Sequence, residues 1–263
     1  MGLTNQSCGK ALLSQKFNIP LDKGDFIIAL AGNPNVGKST VFNGLTGLNQ
    51  HTGNWPGKTV ATARGSYTHK NKKFILVDLP GTYSLFANSA EEQIARDFIC
   101  FGNPDATIIV ADATCLERNL NLALQIMELT DKAVLCLNLM DEAEKKGIFI
   151  DVKQLEKELG IPVIPTAARK KLGLDALMDA TYDVASQIKK TTPRKISYGD
   201  VIETEIQKII PYLEKRLKNK LDPRWVALRI LEGDATLFDS INAFLYEEDS
   251  SSSYKEVTYA HEC

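Results

Sequence analysis

Gly32-Asn33-Pro34-Asn35-Val36-Gly37-Lys38-Ser39 follows an apolar run, residues 26–31, and opens a stretch with Val41, Phe42 and Leu45 at helical spacing. A G-x-x-x-x-G-K-[ST] octapeptide set between a strand and a helix constrains the fold more than anything else in the chain. Glycines let backbone N–H groups curl around phosphate oxygens, and the helix start adds the favourable end of its dipole. In that role Lys38 supplies charge to the β- and γ-phosphates and the Ser39 hydroxyl ligates Mg2+. Gly32, Asn33, Pro34, Asn35, Val36, Gly37 and Thr40 complete the expected cradle.

The surrounding pattern agrees with such a loop. Apolar runs at 26–31, 74–77, 107–111, 133–137 and 162–165 alternate with amphipathic stretches of helical period. Strands buried on both faces and joined by helices predict a doubly wound, mostly parallel sheet with helices on both faces. Residues 65–69 and 72–77 lie too close for a crossover helix, so one antiparallel hairpin is expected at the sheet edge. After Thr191-Thr192-Pro193 the pattern turns helical. Val201, Ile202, Ile206, Ile209, Ile210 and Leu213 mark one apolar face; Trp225, Leu228, Ile230 and Leu231 mark a second. Leu237, Ile241, Phe244 and Leu245 mark a third. The expected fold class is therefore α/β, a P-loop NTPase of Ras-like G-domain type, followed by a small all-helical domain. The expected divisions are an N-terminal extension (1–24), a nucleotide-binding domain (25–191), a helical domain (192–248) and an acidic, Ser-rich tail (249–263).

Three further segments point to the nucleotide. Asp78-Leu79-Pro80-Gly81 closes the second clear strand, where an Asp would hold nucleotide-bound Mg2+, and Gly81 would turn its backbone N–H to the γ-phosphate. Between this and the P-loop, residues 49–62 are Gly-rich and polar, which predicts a functional or disordered loop. Thr59 is the expected Mg2+ and γ-phosphate sensor within it, with Thr52 and Thr62 as local competitors. Asn138-Leu139-Met140-Asp141 decides the base. Guanine offers N1–H and N2–H2 as adjacent donors, and the Asp141 carboxylate accepts both in a charge-assisted pair. Facing adenine, the same carboxylate would lose those donors. Asn138 would brace the loop, Met140 lies within the motif, and Thr166, Ala167 and Ala168 would give guanine O6 a backbone N–H.

Composition narrows the partners. With 31 Lys and Arg against 33 Asp and Glu, a net charge of −2 gives no reason to expect nucleic acid. Five cysteines lie far apart without C-x-x-C spacing, which fits reduced thiols. No run reaches the ~20 apolar residues that span a bilayer, so a soluble chain is expected. His51, His69 and His261 show no ligand spacing with Cys, Asp or Glu, and no site for a transition metal is expected in the chain.

The P-loop, together with His51-Thr52-Gly53-Asn54-Trp55-Pro56-Gly57-Lys58-Thr59-Val60 and Asp78-Leu79-Pro80-Gly81-Thr82-Tyr83-Ser84-Leu85, resembles the bacterial ferrous-iron transporter family FeoB. The Asn-Trp-Pro-Gly-x-Thr-Val element is its most specific part. Arg224-Trp225-Val226-Ala227-Leu228-Arg229-Ile230-Leu231-Glu232-Gly233-Asp234 is similar to that family's helical domain. The resemblance spans roughly residues 25 to 245. It implies the cytosolic N-terminal part of a larger membrane protein, at the cytoplasmic face of the bacterial membrane, whose transmembrane partner portion is missing here. It also implies GTP and GDP binding, a helical domain acting on nucleotide release, and iron conduction elsewhere; association of identical chains is compatible with it. It further suggests that Asn35, with carbonyls near Gly53 and Trp55, holds K+ between the phosphates. Thr82 stands where Ras-like enzymes carry a water-orienting Gln, which predicts slow hydrolysis. The catalytic set expected is Lys38, Thr59, Gly81 and Asn35.

Two other functions compete. A stand-alone K+-dependent GTPase acting on RNA or ribosome assembly predicts a basic domain after the first, whereas the segment after Thr191 is mixed in charge. A module that binds GTP without turnover would not need Lys38, Ser39, Thr59 and Asp78 together.

Overall fold

A computed structural model describes residues 24–47, 50–56, 58–86, 89–217, 221–233, 237, 240 and 241. The expected extension (apart from Gly24), the tail, Gly57, Phe244 and Leu245 lie outside the described residues.

Among the described residues the first unit is a seven-stranded sheet. Its strands are β1 (Phe26–Gly32), β2 (Gln50–Asn54), β3 (Ala61–His69), β4 (Lys72–Asp78), β5 (Ala106–Asp112), β6 (Ala133–Asn138) and β7 (Val163–Pro165). They run in the order β2-β3-β4-β1-β5-β6-β7. The strands from β4 to β7 pair in parallel, with Ala29 opposite both Val77 and Thr107. Alternation sorts their side chains. Ile27, Ala29 and Ala31 enter a core on one face with Val77, Ile109 and Leu135. Ile28 and Leu30 enter a second core with Leu76, Ile108 and Val134. Burial on both faces explains why these strands read as unbroken apolar runs.

Helices close both cores. On the first face lie α2 (Ala90–Gly102), α3 (Leu116–Leu129), α4 (Met140–Lys145) and α5 (Val152–Leu159), contributing Phe98, Leu122, Ala143 and Leu159 among others. On the second lie α1 (Lys38–Thr46) and α6 (Leu174–Ala185), contributing Phe42, Leu45, Leu174 and Leu177. Full burial of one such Leu, Ile or Phe is worth about 1.5–3 kcal/mol.

The expected hairpin exists, since β3 and β4 pair antiparallel, but it is not the edge. β2 covers β3 in register Gln50 with Gly65 through Asn54 with Ala61, so half of the expected 49–62 loop is strand. Trp55 N–H donates to the Val60 carbonyl at 2.9 Å and Lys58 N–H to the Trp55 carbonyl at 3.0 Å, closing a short turn. The Trp55 side chain, 2% exposed, anchors that turn in the core, edge-on to Phe98 with ring centroids 5.6 Å apart.

The chain divides after Ile196, beyond the composition change near Thr191. Residues 192–196 stay with the first unit through Thr192 N–H to the Gly160 carbonyl at 3.0 Å and Arg194 N–H to the Leu159 carbonyl at 2.9 Å. Gly160 (φ 69°) permits this approach, since a Cβ there would lie 2.0 Å from the Thr192 oxygen.

The second unit contains α7 (Asp200–Leu217) and α8 (Pro223–Glu232). Asp222 caps α8, its carboxylate accepting from Arg224 N–H at 2.8 Å and Trp225 N–H at 3.2 Å, with Pro223 at the first turn and Gly233 (φ 75°) ending it. Ile206, Ala227 and Leu228 form its core, flanked by Ile209, Ile210 and Leu213. Val201 falls outside the expected apolar face and is 80% exposed, because it shares its side of the helix with Glu205, Lys208 and Tyr212. Of the third expected helical face, Leu237 and Ile241 are described, both helical and buried.

Candidate nucleotide-binding site

The P-loop leaves the end of β1 under tight packing. A Cβ on Gly32 would meet the Val110 carbonyl oxygen at 2.7 Å, and one on Gly37 (φ 83°) would meet Asn138 Nδ2 at 2.5 Å. Asn35 takes a left-handed conformation (φ 67°), which Asn tolerates better than most residues. That geometry accounts for Asn35 as a turn residue and leaves its exposed side chain free for a second role. Helix α1 then starts with no side-chain cap and no acidic residue in its first turn. An uncapped helix start, with Lys38 and Ser39 at its first positions, is a ready site for an anion.

The D-x-x-G segment sits against this loop. Leu79 N–H donates to the Leu30 carbonyl at 3.0 Å and Thr82 N–H to the Gly32 carbonyl at 3.3 Å. Gly81 lies beside Pro34, where a Cβ would make ordinary contact at 3.5 Å. The Lys38 ammonium forms an ion pair with the Asp78 carboxylate. Burial pushes the Asp78 carboxyl above the usual carboxylate range, and the Lys38 charge opposes that rise. Thr82 is buried, so its side chain does not stand open to solvent as a water-orienting group would. The next residues are held by helices. The Ser84 hydroxyl donates to Glu92 Oε1 at 2.8 Å, Leu85 N–H donates to Gln125 Oε1 at 2.7 Å, and the Arg118 guanidinium lies 4.5 Å from the Tyr83 ring centroid.

Asn138 joins the two ends of the site. Its Nδ2 donates to the Val36 carbonyl at 3.0 Å, while its Oδ1 accepts Ala168 N–H at 3.1 Å and lies 3.2 Å from the Thr166 hydroxyl. Leu139 turns the chain at φ 61°, and Met140 N–H bonds the Thr166 carbonyl at 3.1 Å. The expected base loop is thus tied to N-x-x-D and to the P-loop through one buried side chain. Each of its amides already has an acceptor: Leu137 O for Thr166, Leu172 O for Ala167 and Asn138 Oδ1 for Ala168. Reading guanine O6 here therefore requires one of these bonds to be shared or exchanged.

Asp141 is paired with Lys170, Nζ to Oδ2 at 2.9 Å, and this lysine holds the Asp141 carboxyl below its usual range. A cavity of about 430 Å3 adjoins the pair, lined by Met140, Ile148, Phe149, Thr166, Ala167 and Leu172 among others. Lys170 and Phe149 belong to no motif; their position just past the base loop and α4 was the only sequence signal.

Thr59 stands exposed in the β2–β3 turn, and Gly53 sits in the β2 ladder opposite Thr62. The site thus brings together Lys38, Asp78, Gly81, Asn138 and residues 166–168. Thr59 and Gly53 lie apart from these in the chain, on the β2–β3 hairpin that follows α1.

The donors suit the expected ligands in different degrees. The Ser39 hydroxyl, Asp78 carboxylate and Thr59 hydroxyl are hard oxygen ligands of the kind Mg2+ takes. For K+, the Trp55 carbonyl already accepts Lys58 N–H but keeps a second lone pair.

The family model for ferrous iron transport protein B matches residues 26–181, and that for the FeoB cytosolic helical domain matches residues 198–260. The Fe(2+) transporter FeoB of Methanocaldococcus jannaschii is 50% identical over 209 residues, covering 79% of this chain and 30% of that protein. The chain thus spans less than a third of the curated relatives it matches. The cytosolic domain of the T. maritima FeoB iron transporter in a GDP form is 39% identical, with a TM-score of 0.76 over 85% of this chain and 86% of that one. Its GMPPNP form is 40% identical, with a TM-score of 0.75 over 82% of this chain and 85% of that one. A P-loop G-domain sheet followed by a helical unit, matched by family models on both parts, places this chain in the FeoB family.

Proposed function

We propose that this chain binds guanine nucleotide, hydrolyses GTP, and acts as the cytosolic nucleotide switch of a ferrous-iron transporter whose membrane portion lies beyond it. The observation that carries the reading is Asn138, which pins the P-loop at Val36 and the base loop at Ala168 in one contact set. Such a brace makes phosphate and base recognition one rigid unit. The GDP and GMPPNP forms of the T. maritima relative support the same ligand class here.

In this reading Lys38 leaves Asp78 for the β- and γ-phosphates, and the α1 amides take the remaining phosphate oxygens. Asp78, Ser39 and Thr59 would hold Mg2+, which supplies charge neutralisation to the transferred phosphoryl group. Gly81 N–H reads the γ-phosphate and moves the segment after it, as γ-phosphate contacts do in GTPase switches. Thr82 leaves no side chain to orient water, so turnover is slow. Asn35 and the carbonyls of Gly53 and Trp55 would hold K+, which adds positive charge where negative charge develops.

GTP hydrolysis by the full chain in KCl against NaCl at matched ionic strength, with ATP as control, tests the reading. Hydrolysis of GTP but not ATP is expected, faster in K+. The Asn35→Gly variant keeps the left-handed backbone while removing the amide, and it should lose the K+ stimulation. Equal turnover of ATP would overturn the guanine assignment. Full K+ stimulation in Asn35→Gly would remove only the cation role.

A further inference from the structure

Two segments of opposite fate are gripped by one helix. At the start of α3, Arg118 covers the Tyr83 ring, and seven residues later Gln125 accepts the Leu85 N–H at 2.7 Å. That spacing puts both on one face, turned to the chain that follows D-x-x-G. Leu85 itself is buried, so the segment is fixed at a packed point.

At the other end, the Lys195 ammonium donates to the Met127 carbonyl at 2.8 Å and to the Glu128 carbonyl at 3.0 Å. These are last-turn carbonyls that a helix leaves without internal partners, and the helix dipole draws a cation there. The buried Glu128 side chain also accepts Ile196 N–H at 3.1 Å. Ile196 is the last residue of the first unit. From Arg118 to Glu128 the helix spans about 15 Å at 1.5 Å per residue. Between the two grips, Leu122, Ala123, Ile126 and Met127 are buried, so α3 moves as a body or not at all.

We propose that α3 couples nucleotide state to the helical unit, with Gln125 and Lys195 as the positioning residues that tie it to the segment after D-x-x-G and to the end of the first unit. The proposal rests on the guanine-nucleotide reading above. A γ-phosphate that draws Gly81 shifts Tyr83 and Leu85, and with them the face of α3 that holds them. The shift then reaches the carbonyls on which Lys195 and Ile196 depend. Thermodynamic linkage makes the effect reciprocal: loosening the Lys195 end must change the relative affinity for the two nucleotide states. A helix serving only as scaffold would scale both affinities alike.

The experiment measures Kd for GDP and for a non-hydrolysable GTP analogue on the full chain by titration calorimetry. Lys195→Met keeps the aliphatic stem and removes the cation; Gln125→Met removes the acceptor. Each is expected to change the ratio of the two Kd values by about fivefold, the low end of measured site-to-site couplings. The double variant should change it no further, because the two residues act through one helix. Lys195→Arg should restore the wild-type ratio. Hydrogen exchange of the Ile196 amide in the wild type, expected to differ between the two nucleotides, gives a reading that needs no variant. An unchanged ratio in Lys195→Met, or identical Ile196 exchange in both states, overturns the proposal while leaving guanine binding intact. A wild-type chain that binds neither nucleotide removes both.

Discussion

The side-chain amide of Asn138 donates to the carbonyl of Val36 at 3.0 Å, across 102 positions of the chain. Asn138→Ala leaves that carbonyl and the Ala168 amide without their partner inside the fold. An unsatisfied buried group costs about 1–3 kcal/mol, and for a domain of this size each kcal/mol lowers Tm by about 2–4 °C. A thermal melt of the nucleotide-free chain should show a drop of several degrees. Asn138→Asp keeps the acceptor for Ala168 but loses the donor to Val36, and should fall between the two.

Gly37 meets the same amide from the other side. Its φ of 83° and a Cβ that would lie 2.5 Å from Asn138 Nδ2 leave no room for alanine. Gly37→Ala should abolish nucleotide binding in a calorimetric titration and lower Tm as well. A variant that binds GDP normally would mean the P-loop relaxes far more easily than this packing implies.

The pairing of Lys38 with Asp78 makes a pH prediction. The Asp78 carboxyl is held above its ordinary value of 3.8 by burial. The folded state therefore favours its protonated form: that contribution to stability is fully present below the unfolded value and is lost as pH rises through the folded one. Mg2+ competes with the same proton. The Mg2+-dependent part of GDP affinity should begin to fall, on lowering pH from 7, earlier than for an unperturbed Asp. Lys38→Met removes the opposing charge, so the Asp78 titration followed by carboxyl NMR should move higher still. That variant should lose about 1–3 kcal/mol at pH 7, the cost of a buried polar group without its partner, and Asp78→Asn added to it should recover most of the loss.

Asp141→Asn exchanges two acceptors for one acceptor and one donor. Guanine then loses a partner for N2–H2, while xanthine, which carries a carbonyl at that carbon, gains one. GDP affinity should fall by about 10- to 1000-fold and XDP affinity should rise correspondingly, since a site with a mismatched buried polar group rejects its ligand strongly. Competition binding with both diphosphates reads the exchange directly. An unaltered preference for GDP would detach Asp141 from base recognition.

Trp55 anchors the edge strand through Phe98. Trp55→Ala removes a core aromatic, a change worth about 3–5 kcal/mol when the whole fold must absorb it. The edge position offers a cheaper route, in which β2 detaches and the rest holds. Amides of the β2–β3 ladder should then exchange quickly, while those of β1, β4 and β5 stay protected.

Much of this arrangement was readable from the chain because its main signals are local. Ile27 to Ala31 and Ala133 to Leu137 read as buried strands since both faces of each are covered. Asp78 stood at a strand end and Lys38 at the start of the helix that follows one, where the topology converges. β2 was not readable. His51, Thr52, Gly53 and Asn54 are all exposed, so no alternation marks them, and the backbone ladder to β3 with the Trp55 anchor makes the strand. The expected edge hairpin was displaced inward for the same reason. Lys170 escaped notice because its partner Asp141 lies 29 positions away and no spacing rule connects them. The extent of the second unit's apolar face was overstated at Val201, which points away from Ile206 on α7.

The Lys38–Asp78 pair also governs how a ligand arrives. An approaching phosphate meets a lysine already neutralised by its neighbour, so from a distance it feels a short dipole rather than a free cation. Coulomb attraction to a dipole decays faster with separation than attraction to a charge, and the Debye length of ~10 Å at 0.1 M salt leaves little of it. Nucleotide capture should then be governed by how often the pair opens, with an association rate nearly indifferent to ionic strength.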